Sequence, residues 1–469
     1  MIDIKLIREN PELVKENIKK KFQDEKLVLV DKVKKLDEEW RKLKYQEDNL
    51  RSERNKISEK INQLKKEKKD AANELKTAKE IPGKIEKLEA KRKQLEEEIR
   101  VMLLVIPNMI HSSVPIGKDA SQNVEVVKIG EPKVPNYVVF NHAELAEKLH
   151  GADFETARET SGNGFYYLIG DLAILHSAIL AFARDFMIQK GFEYVIPPFL
   201  IRKKVVEGVM SFEDRDNMMY KIEGEDLYLI GTSEHSVIGG FIGKTINAND
   251  LPINLTSYSP CFRKEIGTHG IEEKGFFRRH QFEKQEMVVI CEPVSSYGWY
   301  DKMLKYTIDV FKALDIPVRV LELCSGDLSD LKAKSCDVEA WSPRQKKYFE
   351  AGSLTNMEEA QARRLNIKIE NKGQRYFAHT LNNTVIASPR ALIALMENNQ
   401  LQDGSIKVPQ VLWKYTGFKS INIKRKELKP QLEEKKIVKK QKAVKNAKKK
   451  VKHEKKEKKP KSRKKSKKK

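Results

Sequence analysis

The stretch SYSPCFRKEIGTHGIEEKGFFRRHQFEKQEMVVI, residues 257–290, opens and closes on strand-like runs with a long polar loop between them. Successive side chains of a strand point to opposite faces. Arg263 and Glu265 are therefore expected on one face of the first run, and Phe282 and Glu286 on one face of the second. One sheet surface would carry a guanidinium suited to bidentate phosphate contact, two carboxylates and an aromatic plate. A charged hairpin with cross-strand ion pairs would read the same way in isolation. Three other stretches argue for more: GTSEH at 231–235, FEAGSLTN at 349–356 and HTLNNTVIASPRALIALMENNQ at 379–400. Neither GxxxxGK[ST] nor GxGxxG occurs, so any nucleotide phosphates must be held by side chains.

Upstream, Val33, Leu36, Trp40, Leu43, Leu50, Ile57, Ile61 and Leu64 fall on an alternating three-four register, interrupted by Glu47 and Arg54. That is a coiled-coil seam. A second seam runs through Ile85, Leu88, Leu95, Ile99, Met102 and Ile106, with Arg92 as its polar intruder, after Pro82-Gly83 and the polar stretch KKEKKDAANELK. The simplest geometry is an antiparallel helical hairpin with arms of roughly 30 to 40 residues, about 50 to 60 Å long. An intermolecular coiled coil, or two helices of a larger bundle, would use the same pattern. Pro107 and the segment IPNMIHSSVPIGKD mark a linker. From about residue 115 to 420, strand-like runs at 226–230, 287–290 and 318–323 mix with amphipathic helices such as 171–190. The longest helices flank the strands, which points to an α+β fold with a mainly antiparallel sheet.

The chain has 469 residues and a net charge of +23, but residues 421–469 hold 25 Lys or Arg against five Glu. That tail carries +20, leaving +3 for the rest, so a histone-like polycation is excluded. It cannot bury a core and is expected to be disordered, serving as an electrostatic RNA tether or, through KKPKSRKKSKKK, as a targeting address. Cys261, Cys291, Cys324 and Cys336 form no CxxC pair, which favours a reducing compartment and, for Cys261, a packed strand residue. His235, His280 and His379 lie too far apart in sequence to suggest zinc. The first residues lack a signal peptide's apolar core, and no run of 18 apolar residues occurs, so secreted and membrane-spanning readings are disfavoured.

Taken together, these stretches resemble the seryl-tRNA synthetases, class II aminoacyl-tRNA synthetases, in their archaeal and eukaryotic-cytosolic form. CFRKE opening onto KGFFRRHQFEKQE is similar to the family's second signature motif, and SPRALIALMENNQ to its third. Residues 171–200, ending in Ile196-Pro197-Pro198, are similar to the first, which in the family forms the dimer interface. RENPE at 8–12, RNKIS at 54–58, IPN at 106–108 and VPIG at 114–117 match the arm and linker, so the resemblance spans about residues 1–420.

The resemblance implies Arg263 and Arg390 as the catalytic arginines, on the α-phosphate and the far phosphates. It implies an ATP site of Arg263, Lys264, Glu265, Arg279, His280, Gln281, Phe282, Glu350, Ala351, Gly352, Ser353 and Arg390, with Phe282 stacked on the base. Magnesium would sit at Glu350 and Ser353. Serine would be received by Thr232, Ser233, Glu234, Arg263, Glu286, Asn382 and Thr384, the carboxylates pairing with its ammonium. Arg279, Pro389 and Asn399 depart from the family's common residues. Proline in a helix's first turn is tolerated.

The function implied is serine-tRNA ligase: serine and ATP give seryl-adenylate, and serine passes to the 3′ end of tRNA(Ser), with tRNA(Sec) a further possible acceptor. The alternative is a synthetase-like paralogue that binds RNA without charging it, which should have lost Arg263, Glu286, Glu350 or Arg390; all four are present. A class II enzyme for proline or threonine would need an anticodon-binding domain after the third motif, and only about 20 residues separate that motif from the tail. The expected organisation is a tRNA-binding arm at 1–110, a catalytic domain at 111–420 and the tail at 421–469, in a cytoplasmic homodimer without membrane association.

Overall fold

Two short helices, α1 (Ile4–Glu9) and α2 (Pro11–Lys20), open the computed structural model, which describes residues 1–265 and 275–423. Asn10 ends the first helix and caps the second: its Oδ1 accepts from the Leu13 N–H at 3.2 Å, and Pro11 occupies the first turn. Then α3 (Leu27–Lys66) and α4 (Ala72–Val105) form the expected antiparallel hairpin, tied by Lys91–Glu39 at 2.7 Å and Lys60–Glu74 at 2.7 Å. At 1.5 Å per residue the longer arm reaches about 60 Å.

The second arm begins earlier than the sequence suggests, because Pro82 and Gly83 lie inside α4. A proline inside a helix costs about 3 kcal/mol. Ile81 and Ile85, four apart and both buried in the hairpin, return about 1.5–3 kcal/mol each, so the helix continues through the break. Two of the three polar residues that interrupt the seams, Glu47 and Arg92, meet. Arg92 Nε donates to Glu47 Oε2 at 2.9 Å and Arg51 Nη2 to Oε1 at 2.8 Å, with Glu47 only 2% exposed. Burial pushes the Glu47 pKa up, and the two guanidiniums outweigh it, holding the carboxyl below its ordinary range. The pair pins the register of two otherwise slidable apolar seams.

Beyond the arm lies an eight-stranded sheet of β1 (Val124–Ile129), β2 (Glu193–Val195), β3 (Ile253–Phe262), β4 (Gln281–Cys291), β5 (Val318–Glu322), β6 (Lys334–Ser342), β7 (Lys347–Glu358) and β8 (His379–Ala387). Its order is β1-β5-β6-β7-β8-β4-β3-β2, and every neighbouring pair is antiparallel except β2 with β3, as the α+β expectation requires. Both faces of β4 are covered. Met287, Val289 and Cys291 pack into the main core with the helices α5 (Gly170–Gln189), α7 (Ser296–Ala313) and α8 (Ser388–Asn398), while Val288 and Ile290 belong to a second core with Val206, Val237, Leu365 and Ile367. One more helix, α6 (Ser233–Gly239), lies on that second side.

One expectation fails locally. β3 ends at Phe262, so Arg263 and Glu265 are not alternate residues of a strand. The Arg263 N–H still donates to the His280 carbonyl at 2.9 Å, but the Lys264 N–H turns to Met218 O at 2.8 Å and Glu265 takes φ +48°, which takes the chain out of the ladder. At the far end, Ser420–Ile421 pairs with Ile406–Lys407, so regular structure runs one residue past the expected boundary. The expected disorder of the tail falls on 424–469, outside the described residues. Among the described residues no helix is long and apolar enough to cross a membrane.

Replacing Arg92 by methionine leaves Glu47 buried with only Arg51, and is expected to cost the hairpin about 1–3 kcal/mol. Amide exchange should quicken through the middle of α3 and α4 and stay unchanged in β4. Unaltered protection in the arm would show that the pair does not hold it.

Candidate functional site

A cavity of about 830 Å³ opens beside the centre of the sheet. Strand parity places its floor: Phe282, Lys284 and Glu286 are alternate residues of β4 and all line it. Glu283, of opposite parity, instead meets His176 of α5 and the Tyr258 hydroxyl. Lys284 was not singled out from the sequence, although the same arithmetic that pairs Phe282 with Glu286 includes it. Its Nζ lies 2.5 Å from Glu286 Oε2, and Glu286 is 1% exposed. On the neighbouring strand Thr384 stands opposite Glu286 and donates to Oε2 at 3.4 Å. Burial raises the Glu286 pKa, with Lys284 and Arg263 opposing.

Glu234 approaches from above. Thr232 caps α6, its Oγ1 accepting from the Glu234 N–H at 3.4 Å, and the Glu234 side chain points into the cavity. Its hydrogen-bond partner is neutral: Gln361 Nε2 donates to Oε1 at 2.7 Å, and Gln361 Oε1 is fixed in turn by the Thr380 hydroxyl at 2.7 Å. Burial first, and the Glu286 charge second, push the Glu234 pKa up to about 7. Asn382 completes this end, and its buried Nδ2 has no hydrogen-bond partner among the described residues. A pocket with two buried carboxylates, a capping hydroxyl and an open amide donor is complementary to a small ammonium-bearing molecule with a polar side chain.

The other end is cationic and aromatic. Arg263 Nε donates to Gly231 O at 3.2 Å, and its guanidinium lies 5.2 Å from the centre of the Phe282 ring. Arg390, in the first turn of α8 behind Pro389, donates from Nη1 to Glu350 O at 3.0 Å and approaches Glu350 Oε2 at 2.9 Å. Its guanidinium rests 5.0 Å from the Phe277 ring centre. Proline in that first turn lacks only an N–H the helix does not need, so this departure from the family pattern leaves Arg390 in place.

Glu350 and Ser353 are three apart on β7 and would face opposite sides of a regular strand. The register with β6 slips between them: Glu339 pairs with Glu350 and Val338 with Gly352, leaving Ala351 as a bulge that turns both side chains to the cavity. Asp337 of β6 stands opposite Ser353, and burial together with the Glu350 charge pushes its pKa up to about 7. Glu350 is held below its ordinary range: desolvating its carboxylate inside the cavity raises the pKa, and Arg390 and Arg263 outweigh that cost. Two carboxylates repelling each other beside a hydroxyl form an oxygen-donor set that fits a hard divalent cation. Among the described residues no three His, Cys, Asp or Glu side chains gather as a metal site.

The cavity thus brings together Thr232, Glu234, Arg263, Glu265, Arg279, Phe282, Glu286, Glu350, Ala351, Gly352, Ser353, Asn382, Thr384 and Arg390. Ser233, Lys264, His280 and Gln281 do not line it. Ser233 is fully buried with its hydroxyl accepting from Ser257 Oγ at 2.6 Å, and the His280 ring bonds to Arg263 O at 3.0 Å. Lys264 Nζ donates to Asp216 O at 3.3 Å, and Gln281 is exposed at the start of β4. Buried Arg279 lies 6.0 Å from the centre of the Phe154 ring, and burial lowers its pKa. His235 is buried, its Nδ1 unpaired among the described residues, and burial pushes its pKa down to about 3. Lys332, Asp337 and Gln361 escaped the sequence reading, since nothing local marks a residue whose role depends on which strand lies beside it.

Residues 1–110 match the family model of the seryl-tRNA synthetase N-terminal domain, and residues 218–399 that of the class II tRNA synthetase core domain (G, H, P, S and T). The chain is 43% identical over 443 residues to the serine–tRNA ligases of Thermococcus onnurineus and of Pyrococcus horikoshii, covering 90% of this chain and 97% of each relative. The solved seryl-tRNA synthetase of Pyrococcus horikoshii complexed with ATP superposes with a TM-score of 0.85 at 42% identity, covering 90% of this chain and 99% of that one. The cytoplasmic serine-tRNA ligase of Naegleria fowleri in complex with AMP gives 0.81 at 34% identity, covering 91% and 99%.

The Glu234 pKa makes stability depend on pH. Its folded value, about 7, lies above the ordinary 4.5, so the stabilising neutral form is fully present below about pH 4.5 and is lost as pH rises through 7. Glu234→Gln cannot ionise. Relative to wild type it is expected to gain on the order of 2–3 kcal/mol between about pH 5 and pH 8. Parallel melting curves of the two proteins across that range would contradict the burial of an uncompensated carboxyl.

Proposed function

The chain belongs to the seryl-tRNA synthetases, and we propose that the two ends of its cavity divide the serine–tRNA ligase reaction between them. The observation that carries this reading is the pair Glu234 and Glu286, both buried and lining one cavity with Arg263. The chain is an ATP-using serine-tRNA ligase, and the reading of a paralogue without charging activity is set aside. Serine enters with its ammonium on Glu234 and Glu286 and its hydroxyl toward Asn382 and Thr384. Alanine would leave those polar groups unpaired, which penalises it strongly. Arg263 then lies where the serine carboxylate meets the α-phosphorus of ATP, with the adenine ring on Phe282 and Arg390 at the far phosphates.

Attack of the carboxylate oxygen on the α-phosphorus expels pyrophosphate and leaves seryl-adenylate. Charge spreads over phosphate oxygens in the transition state, and two fixed guanidiniums in a half-buried cavity stabilise it without reorganising. Glu350 and Ser353, with Asp337 adjacent, would hold magnesium, which supplies neutralisation of phosphate charge when bound. In the second step a hydroxyl of the terminal ribose of tRNA(Ser) attacks the seryl carbonyl, forming the ester and releasing AMP. We place this work in the cytoplasm, in a homodimer formed through the region of α5, with residues 1–110 as the RNA-reaching arm, 111–420 as the catalytic domain and 421–469 as an appended segment.

Three outcomes test this reading. Purified protein should catalyse serine-dependent, magnesium-requiring ATP–pyrophosphate exchange, and Arg263→Ala or Arg390→Ala should each lower it about 100-fold or more; wild-type rates in both variants would refute the site assignment. Shortening the distal hairpin, with its base intact, should spare exchange and abolish charging, and equal loss of both would make the arm a folding element. If the +20 tail tethers RNA through about five phosphates, ending the chain at Ser420 should flatten the log–log salt dependence of tRNA affinity by roughly three to five units. Superimposable curves would favour the targeting role.

A further inference from the structure

The base of the arm and one wall of the cavity are built as a single unit. Lys21, directly after α2, is 2% exposed, and its Nζ donates to the carbonyl oxygens of Leu328 at 2.9 Å and Ser329 at 3.2 Å. Gln23 Nε2 and Lys26 Nζ bind the two oxygens of Asp330 at 2.9 and 2.7 Å. From the other arm, just past α4, the Asn108 N–H donates to Asp330 O at 2.7 Å and its Nδ2 to Leu331 O at 3.1 Å. Asn17 of α2 locks this junction by donating to Asn108 O at 3.0 Å. Every residue from 328 to 331 is thus held by the base of the arm, some 300 residues away in sequence for Lys21.

That segment is not remote from the chemistry. Ser329, Leu331 and Lys332 line the cavity, and Lys332 follows immediately on the clamped stretch. The Lys332 charge acts on Asp337, Glu350 and Glu234, favouring the ionised form of each. A lysine as buried as Lys21 is expensive, and burial pushes its pKa down to about 8. A methionine would fill the same space without that cost. What the ammonium adds is a fixed position for two carbonyl groups of the wall.

We infer that Lys21 is a positioning residue for Lys332: from the base of the arm it fixes residues 328–331, so that Lys332 presents its cation beside Asp337 and Glu350 where the phosphates of ATP bind. The inference rests on the reading of this cavity as the ATP site. Serine should be less affected, because Glu234 and Glu286 are carried by α6 and β4.

The test uses the full chain and titration calorimetry with ATP in magnesium buffer, alongside exchange kinetics. Lys332→Met should weaken ATP binding and raise its KM about fivefold or more, with the KM for serine within about twofold. Lys21→Met should do the same, and the double variant should be no worse than Lys332→Met, because two residues acting through one position are not additive. Wild-type ATP affinity in Lys21→Met, or fully additive losses in the double variant, would overturn the inference. Should Lys21→Met melt early, Asp330→Asn loosens the same segment and must shift ATP affinity in the same direction; no shift would be equally fatal. ATP binding is read without serine, so these titrations decide the matter separately from whether exchange with serine occurs.

Discussion

Glu234 is a carboxyl buried against an amide, and the catalytic half of the molecule is organised around that constraint. Glu286 has Lys284 at 2.5 Å, whereas Glu234 has Gln361 and the repulsion of Glu286. A buried carboxylate with no cation in hydrogen-bond contact is costly, and its pKa is raised to about 7. In the proposed reading, the ammonium of serine supplies the missing charge. On that reading the site is a defect in the fold that the substrate would repair, and two contacts hold Glu234 in place: the Thr232 cap sets the direction of α6, and Thr380 fixes Gln361.

The sequence goes furthest where one periodicity governs. Strand parity along β4 is enough to put Phe282 and Glu286 on one face, and it would have put Lys284 there as well. The seams of the arm are legible for the same reason, and their interruptions at Glu47 and Arg92 turn out to be each other's partners. It fails where two periodicities compete or where register matters. Pro82-Gly83 reads as a boundary, yet the buried pair Ile81 and Ile85 carries the helix through it. Arg263 and Glu265 read as one strand face, yet the ladder ends at Phe262. The joint placement of Glu350 and Ser353 came from family resemblance; the bulge at Ala351 that makes it possible depends on the slipped pairing with β6, which no local pattern announces.

The proposed reading assigns RNA to the arm and chemistry to the cavity. Here they share a wall. Lys21, Lys26 and Asn108 grip residues 328–331 on one side. On another, Arg364 donates to Leu104 O at the end of α4 and to Met210 O at the rim of the cavity, both at 2.8 Å.

Proton release on serine binding tests the account most directly. Calorimetric titration with serine in two buffers of different ionisation enthalpy, at about pH 6 and again at about pH 8, counts the protons exchanged. With Glu234 neutral in the free protein and ionised beside the ammonium, a large fraction of one proton should leave at the lower pH and far less at the higher, and Glu234→Gln should abolish the difference. Serine binding with no proton release at either pH would contradict the claim that the substrate's ammonium supplies the cation that this buried carboxyl lacks.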